Sequence, residues 1–307
     1  MQMNPNISIY KFLIILLVLA GMITVISCET YNQEEYEELV IVEAYAIAND
    51  RLPDVRIHTT TPAEDFFDPS ETAITGANVQ VVLLDESDQS EKVFDYFFSP
   101  AGNGIYIAGN RSHRMQANRT YRLDIDFNDR PEVIRAYTTI PDQLTVLNEI
   151  ADSVVYQSEE QLEIVIPQPQ NNAQQQVYVF SIISDEPFAE NLTPFYLANF
   201  EDENIELDDV LVNSSGLINE GNFDINPDGT ITLRFPWIGV AFYGENRIIT
   251  GLVDRNLSDL VRSQEVQLGG STLSPGEIPN LIYNIEGGIG IFGSMSTDTV
   301  STRILRP

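Results

Sequence analysis

Between Arg119 and Phe127 the chain reads R-T-Y-R-L-D-I-D-F. Tyr121, Leu123, Ile125 and Phe127 fall on one parity, and Arg122, Asp124 and Asp126 on the other. Side chains of a strand alternate between its two faces, so this contrast predicts a half-buried strand with one wet face. The pattern recurs. In Ala77–Leu84, Val79, Val81 and Leu83 oppose Asn78 and Gln80, and Leu39–Ala46 (LVIVEAYA) is rich in β-branched residues. Turn-forming joints separate these runs: Asp68-Pro69-Ser70, Pro100-Ala101-Gly102-Asn103-Gly104 and Asn128-Asp129-Arg130-Pro131, the last linking Arg119–Phe127 to Val133–Thr138 as a hairpin. Some seven strands fit between Leu39 and Pro141, at the spacing of a β-sandwich.

The second half has the same character with longer interruptions. Gln161–Ile166, Val177–Ile183, Thr230–Phe235 and Arg247–Asp254 read as strands, and Asn222–Ile225 is expected to pair with Thr230–Phe235 across Asn226-Pro227-Asp228-Gly229. Glu186–Gly221 is an acidic surface excursion. Asn256–Gln267 is the one strong helix, with Asn256 as its cap and Leu257, Leu260 and Val261 at helical spacing. The expected fold is therefore mainly β: an N-terminal β-sandwich domain over 39–142, and a β-rich domain with one or two short helices over 143–307.

The N-terminus carries an address. Phe12–Ile26 is 15 residues long and almost wholly apolar, with Lys11 before it. That is short of the roughly 20 residues a membrane-spanning helix needs, and it has the layout of a secretory signal. It ends in Val25-Ile26-Ser27-Cys28, which resembles the bacterial lipobox. In that motif the peptide bond before the Cys is cut and the thiol carries a diacylglycerol. Cys28 is the only cysteine, so no intramolecular disulfide is available to it. Residues 1–27 are thus expected to be a lipoprotein signal peptide, with Cys28 the point of membrane attachment. Residues 28–38 form a tether with five glutamates and no base. It is similar to the acidic export tag of surface lipoproteins of Bacteroidetes.

Composition narrows the partners. There are 46 acidic residues against 16 Lys and Arg, a net charge of −30. Phosphate backbones and anionic membrane surfaces would be repelled, so nucleic acid is excluded as a partner. The hydrophobic fraction of 43% is that of a folded chain.

Several motifs invite chemistry, each beside a plainer reading. Gly288-Ile289-Gly290-Ile291-Phe292-Gly293 matches the dinucleotide-binding pattern, but β-like sequence follows where a helix is required, so a strand in close backbone contact is expected. Asp224, Asn226 and Asp228 with Gly229 match the first part of a calcium loop, while Phe235 stands where its bidentate Glu belongs. Asn-Pro-Asp-Gly is also a strong turn. His58 and His113 lack partners at zinc spacing and read as surface or turn residues. Aromatic clusters at Phe94–Phe98 and Phe235–Tyr243 read as core, or as stacking surfaces for sugars. No catalytic motif is present and no cofactor is required, which makes a non-enzymatic role the expectation.

Four stretches together resemble one family. They are Glu38-Leu39-Val40-Ile41-Val42-Glu43 after the tether, Ile74-Thr75-Gly76-Ala77-Asn78-Val79-Gln80-Val81, Thr120–Ile125 followed by Ala136–Pro141, and Asn284–Gly293. The chain resembles the Bacteroidetes outer-membrane lipoproteins catalogued as domain of unknown function 4249, over nearly its whole length after the signal. Glu43-Ala44 departs from the usual Glu-Gly. The resemblance implies an immunoglobulin-like or carboxypeptidase-regulatory-like first domain and a location on the outer membrane facing outward. It also implies the company of a TonB-dependent transporter, to which the protein would be a binding or gating accessory. It transfers no catalytic residue. An adhesin or envelope structural protein is the competing expectation, and a surface glycan hydrolase the enzymatic one.

Overall fold

The computed structural model describes residues 36–159, 161–168, 175–202, 204–269 and 280–307. Residues 38–307 form one compact, mainly β unit. Its first part contains seven strands, β1 (Val40–Ile47), β2 (Val55–Thr59), β3 (Ala77–Leu84), β4 (Ser90–Phe98), β5 (Ile105–Ala108), β6 (Thr120–Phe127) and β7 (Val133–Thr139). They lie in the order β1-β2-β5-β4-β3-β6-β7, every neighbouring pair antiparallel. The alternation in β6 is realised as read. Tyr121, Leu123 and Ile125 are fully buried, while on the wet face Asp124 is gripped by Arg122 at 2.8 Å and Arg135 at 3.0 Å.

The second part contains β8 (Ser153–Val155), β9 (Leu162–Pro167), β10 (Val177–Ser184), helix α1 (Pro194–Glu201), β11 (Val212–Ser214), β12 (Ile218–Asn219), β13 (Thr230–Phe235), β14 (Gly244–Val253), helix α2 (Arg255–Gly269), β15 (Ile285–Glu286) and β16 (Ile289–Leu305). β16 is the longest strand and belongs to both parts. Its first half pairs in parallel with β1, from Ile41↔Ile289 to Ile47↔Met295. Its second half pairs antiparallel with β14, from Val253↔Met295 to Gly244↔Ile304. At about 3.3 Å per residue its contour is roughly 50 Å.

Two hydrophobic interiors flank this strand. One gathers residues between Val40 and Ile140 together with Ile285 and Phe292; the other runs from Leu144 to Ile304. In the second, β10, β14 and β16 face a two-stranded sheet of β9 and β13. Residues 144–152 lie along β16, held by its side chains. Leu144 N donates to Ser296 Oγ at 3.0 Å, Val146 N to Asp298 Oδ2 at 2.7 Å, and Thr302 Oγ1 to Ala151 O at 2.7 Å. From Ser153 the segment becomes β8, paired to the end of β16. Buried hydroxyls and a carboxylate thus satisfy backbone groups that no ladder reaches.

The glycine-rich stretch explains itself here. Gly287 and Gly288 carry the chain from β15, paired with β7, to β16, paired with β1. A Cβ on Gly287 would stand 2.4 Å from Val133 O, on Gly288 2.7 Å from Val40 O, and on Gly290 2.0 Å from Val42 O. Gly290 also holds φ at +115°. The motif opens β16, pressed against its neighbours, and the same strand runs on to Leu305 where a dinucleotide site would need a helix.

Two local expectations are corrected. Thr230–Phe235 pairs over its full length with β9, from Thr230↔Pro167 to Phe235↔Leu162, while Asn222–Ile225 contributes a single bridge, Ile225↔Ile231. β9 offers alternating Leu162, Ile164 and Ile166, all buried, whereas Asn222 still belongs to a 3-10 turn. The strong helix begins at Arg255, and its cap is Asp254: Leu257 N donates to Asp254 Oδ1 at 2.8 Å. Asn256 instead donates to Tyr137 O and Phe292 O.

Candidate ligand cleft

Where β7 ends, β10 begins and β14 turns into α2, the surface opens into a cleft of about 730 Å³. β7 and its continuation supply Tyr137, Thr139 and Asp142; the start of β10 supplies Gln175 and Gln176. The first turns of α2 supply Arg255, Asn256, Asp259 and Arg262, and Asn118 comes from the turn before β6. The volume is that of a small-molecule site. Most lining side chains carry an amide, hydroxyl, guanidinium or carboxylate, with Ile140, Pro141, Val177 and Val253 the apolar ones, so the site suits a polar ligand rich in hydrogen-bonding groups.

The floor is rigid. Asp254 is 8% exposed and Thr138 1%. Thr138 Oγ1 lies 2.7 Å from Asp254 Oδ2 and 2.7 Å from Ser294 Oγ, which donates to Thr139 O at 3.1 Å. Thr138 thus joins the Asp254 carboxyl and Ser294 in one buried hydrogen-bonded cluster. Burial pushes the Asp254 carboxyl up, against the pull of the hydrogen bonds from Leu257, Thr138 and Ser294. On the rim, Arg255 pairs with Asp259 one turn on at 3.2 Å, and Arg262 donates to Asn219 of β12.

Cys28 and most of the acidic tether lie outside the described residues. Asp224, Asn226 and Asp228 sit on the loop leading into β13, away from the cleft lining. Asp228 Oδ1 accepts from Thr230 N at 3.0 Å and Thr230 Oγ1 at 2.7 Å, and Asn226 Nδ2 donates to Thr230 Oγ1 and Thr232 Oγ1 at 2.9 Å each. These bonds hold Asp228 below the usual carboxylate range. Gly229 takes φ +79°, as such a turn requires. Phe235 points into the second interior against Phe180, so the calcium loop's last ligand position is core. The donor set is that of a turn and does not fit the calcium loop. Among the described residues no three of His, Cys, Asp and Glu converge in a way that could hold a metal.

His58 departs from its expected surface or turn place, whereas His113 lies half-buried in the loop between β5 and β6. His58 is buried on β2, its Nδ1 3.2 Å from Thr72 Oγ1, and its ring meets Phe67 edge-on. His113 stacks obliquely on Phe94 and contacts Tyr121 Oη at 3.1 Å. Burial lowers both imidazoles below their usual range. Phe94, Tyr96, Phe235, Phe242 and Tyr243 are core residues, whereas Phe97 is exposed. Sequence reasoning missed the cleft altogether. Its floor joins Thr138, Asp254 and Ser294 from three distant segments, and only Asp254, standing just before an amphipathic run, carried a local signal as a cap.

This geometry defines a class, a mainly β, sandwich-like protein with two interiors sharing one long strand and a polar cleft where they meet. The chain belongs to the family described as Domain of unknown function (DUF4249), whose model matches residues 25–301. No curated protein matches. Solved structures with local likeness include trypsin-activated alpha-2-macroglobulin from Escherichia coli, at 8% identity and TM-score 0.20 over 72% of this chain. A tetra-tandem repeat in the extending region of a large adhesion protein gives 10% identity and TM-score 0.23 over 87%. The elastase-activated Escherichia coli alpha-2-macroglobulin gives 8% and 0.24 over 88%. The matches span 15%, 49% and 20% of those chains respectively.

Proposed function

We propose that this protein is a lipid-anchored outer-membrane lipoprotein, exposed at the cell surface, that serves as a non-enzymatic binding or gating accessory to a TonB-dependent transporter. The observation that carries the binding reading is the cleft. It offers Arg, Asn, Gln, Tyr and Asp groups to a polar solute on a floor already locked by hydrogen bonds. Preorganised polar walls of this kind orient a ligand without reacting with it. The anchoring part rests on Val25–Cys28 and the acidic residues that follow.

The glycan-hydrolase alternative needs a proton-donating carboxyl facing the substrate, opposite a second carboxylate. Asp254 has the raised carboxyl, yet as the cap of α2 its Oδ1 accepts from Leu257 N, and its Oδ2 accepts from Thr138. That argues for a structural acid and favours binding. The adhesin reading draws on no particular feature of the cleft. Affinity purification of the full lipidated chain from detergent-solubilised outer membranes tests the proposal. Recovery of a TonB-dependent transporter supports it, and repeated recovery without one defeats it.

A further inference from the structure

The end of the second part opposite the cleft carries a lobe built from the excursion after β10. Its small interior of Leu192, Val210, Ala241 and Phe242 is packed by Tyr196, Phe200, Ile205 and Leu207. α1 lies on it through Tyr196, Asn199 and Phe200, and Tyr196 Oη donates to Ile238 O at 2.7 Å. The outer arc of α1 is not polar. Pro194, Phe195, Leu197 and Ala198 occupy it, with Phe195 49% and Leu197 37% exposed, and Ile238, whose carbonyl is bound by Tyr196 of the same helix, is 54% exposed. Among the described residues nothing covers the apolar side chains Phe195 and Leu197 on this outer arc.

The surroundings specify the cover. Glu201 and Asp202 close the outer arc, and Glu206, Asp208 and Asp209 follow within the same lobe. A second copy would bring an identical acidic rim against this one, and anionic lipid would be repelled likewise. The lobe also lies at the Leu305 end of β16: Arg306 reaches Glu190 O and stacks over Tyr243. Val40, where β1 begins, lies beside Gly288 at the other end of that strand, roughly 50 Å away along its contour.

We propose that the outer face of α1, with Ile238, is a docking surface for a protein partner that presents apolar anchors flanked by Lys and Arg. The apolar centre supplies the buried contact and the acidic rim selects a basic surround. This goes beyond the accessory reading, since it fixes the face and the partner's chemistry whatever that partner is.

The test places p-benzoylphenylalanine at Phe195 or Ile238 in the full chain and irradiates native membranes, with Tyr45 and Val93 on the first part as exposed controls. A discrete protein adduct is expected from positions 195 and 238 and not from the controls. Its mapped peptide carries Lys or Arg beside apolar residues. Leu197→Glu, a surface change checked by an unaltered melting curve, lowers its yield about tenfold or more. No adduct, equal adducts from the controls, adducts only with lipid or with this chain itself, or a mapped peptide without basic residues would each overturn the surface. A mapped adduct with a basic protein other than a transporter supports the surface and counts against the transporter. A transporter co-purified while positions 195 and 238 stay silent does the reverse.

Discussion

Replacing Gly290 with Ala tests the reason the chain can fold around β16 at all. Gly290 sits opposite Val42 in the parallel ladder with φ at +115°, where L-residues are strongly disfavoured. Holding Ala in that conformation costs on the order of 1–3 kcal/mol. Its Cβ would lie 2.0 Å from Val42 O, with Val42 C and N at 3.0 Å, so backbone must move. Overpacking of that kind costs about 1–3 kcal/mol. Displacing a buried carbonyl from its partner adds about 1–3 kcal/mol more. The sum is roughly 3–9 kcal/mol, a large part of the 5–15 kcal/mol that holds a typical domain folded. At about 2–4 °C per kcal/mol for a unit of this size, the melting midpoint should fall by at least about 6 °C and by as much as roughly 36 °C. Thermal melts by circular dichroism, with urea titration at fixed temperature, measure it. Gly76→Ala is the control, because nothing lies within 4 Å of its added Cβ. A Gly290→Ala protein that melts with the wild type would refute the account of the glycine stretch.

Further outcomes follow from the charged groups and the anchor. Asp254 has a folded-state carboxyl raised above the ordinary 3.8, so its stabilising contribution is complete below that pH and is lost as pH climbs through the folded value. The difference in stability between wild type and Asp254→Asn should therefore shift in the variant's favour as pH rises from 4 to 8, and a constant difference would contradict the burial of that carboxyl. Burial lowers the two histidines, so their contribution is present above 6.5 and lost as pH falls toward and through their folded values. A stability difference between wild type and His58→Phe that does not change between pH 7.5 and 5 would contradict the burial of that ring. Asp228→Ala removes two turn hydrogen bonds and should lower the urea midpoint slightly. Calcium titration by calorimetry should give no saturable heat, and a stoichiometric heat abolished by that substitution would restore the calcium reading. Cys28→Ala should move the protein from the membrane to the soluble fraction and abolish palmitate labelling, and unchanged partitioning with no label on the wild type would remove the lipid anchor.

The strands were legible because burial imposes a period of two. Tyr121, Leu123 and Ile125 announce β6 without help from the rest of the chain, and the seven strands of the first part appear where seven were expected. Pairing was less legible. Thr230–Phe235 has a near neighbour in sequence and a better one in β9, and only the complementary alternation of Leu162, Ile164 and Ile166 decides between them. The glycine stretch announced close contact without naming the contact. The cleft stayed hidden for a topological reason: Thr138 lies 116 positions from Asp254 and 156 from Ser294, so no window of sequence contains the floor. His58 read as a surface residue because one buried ring satisfied by Thr72 leaves no pattern around it.

The central claim, a lipid-anchored binding accessory, is tested most directly by quantifying what accompanies the tagged, lipidated chain out of solubilised outer membranes. The account predicts a TonB-dependent transporter in near-stoichiometric amount with the wild type, and its loss with Cys28→Ala, which would no longer be held at the membrane. A wild-type preparation that is fully lipidated, intact and repeatedly free of any such transporter would contradict it.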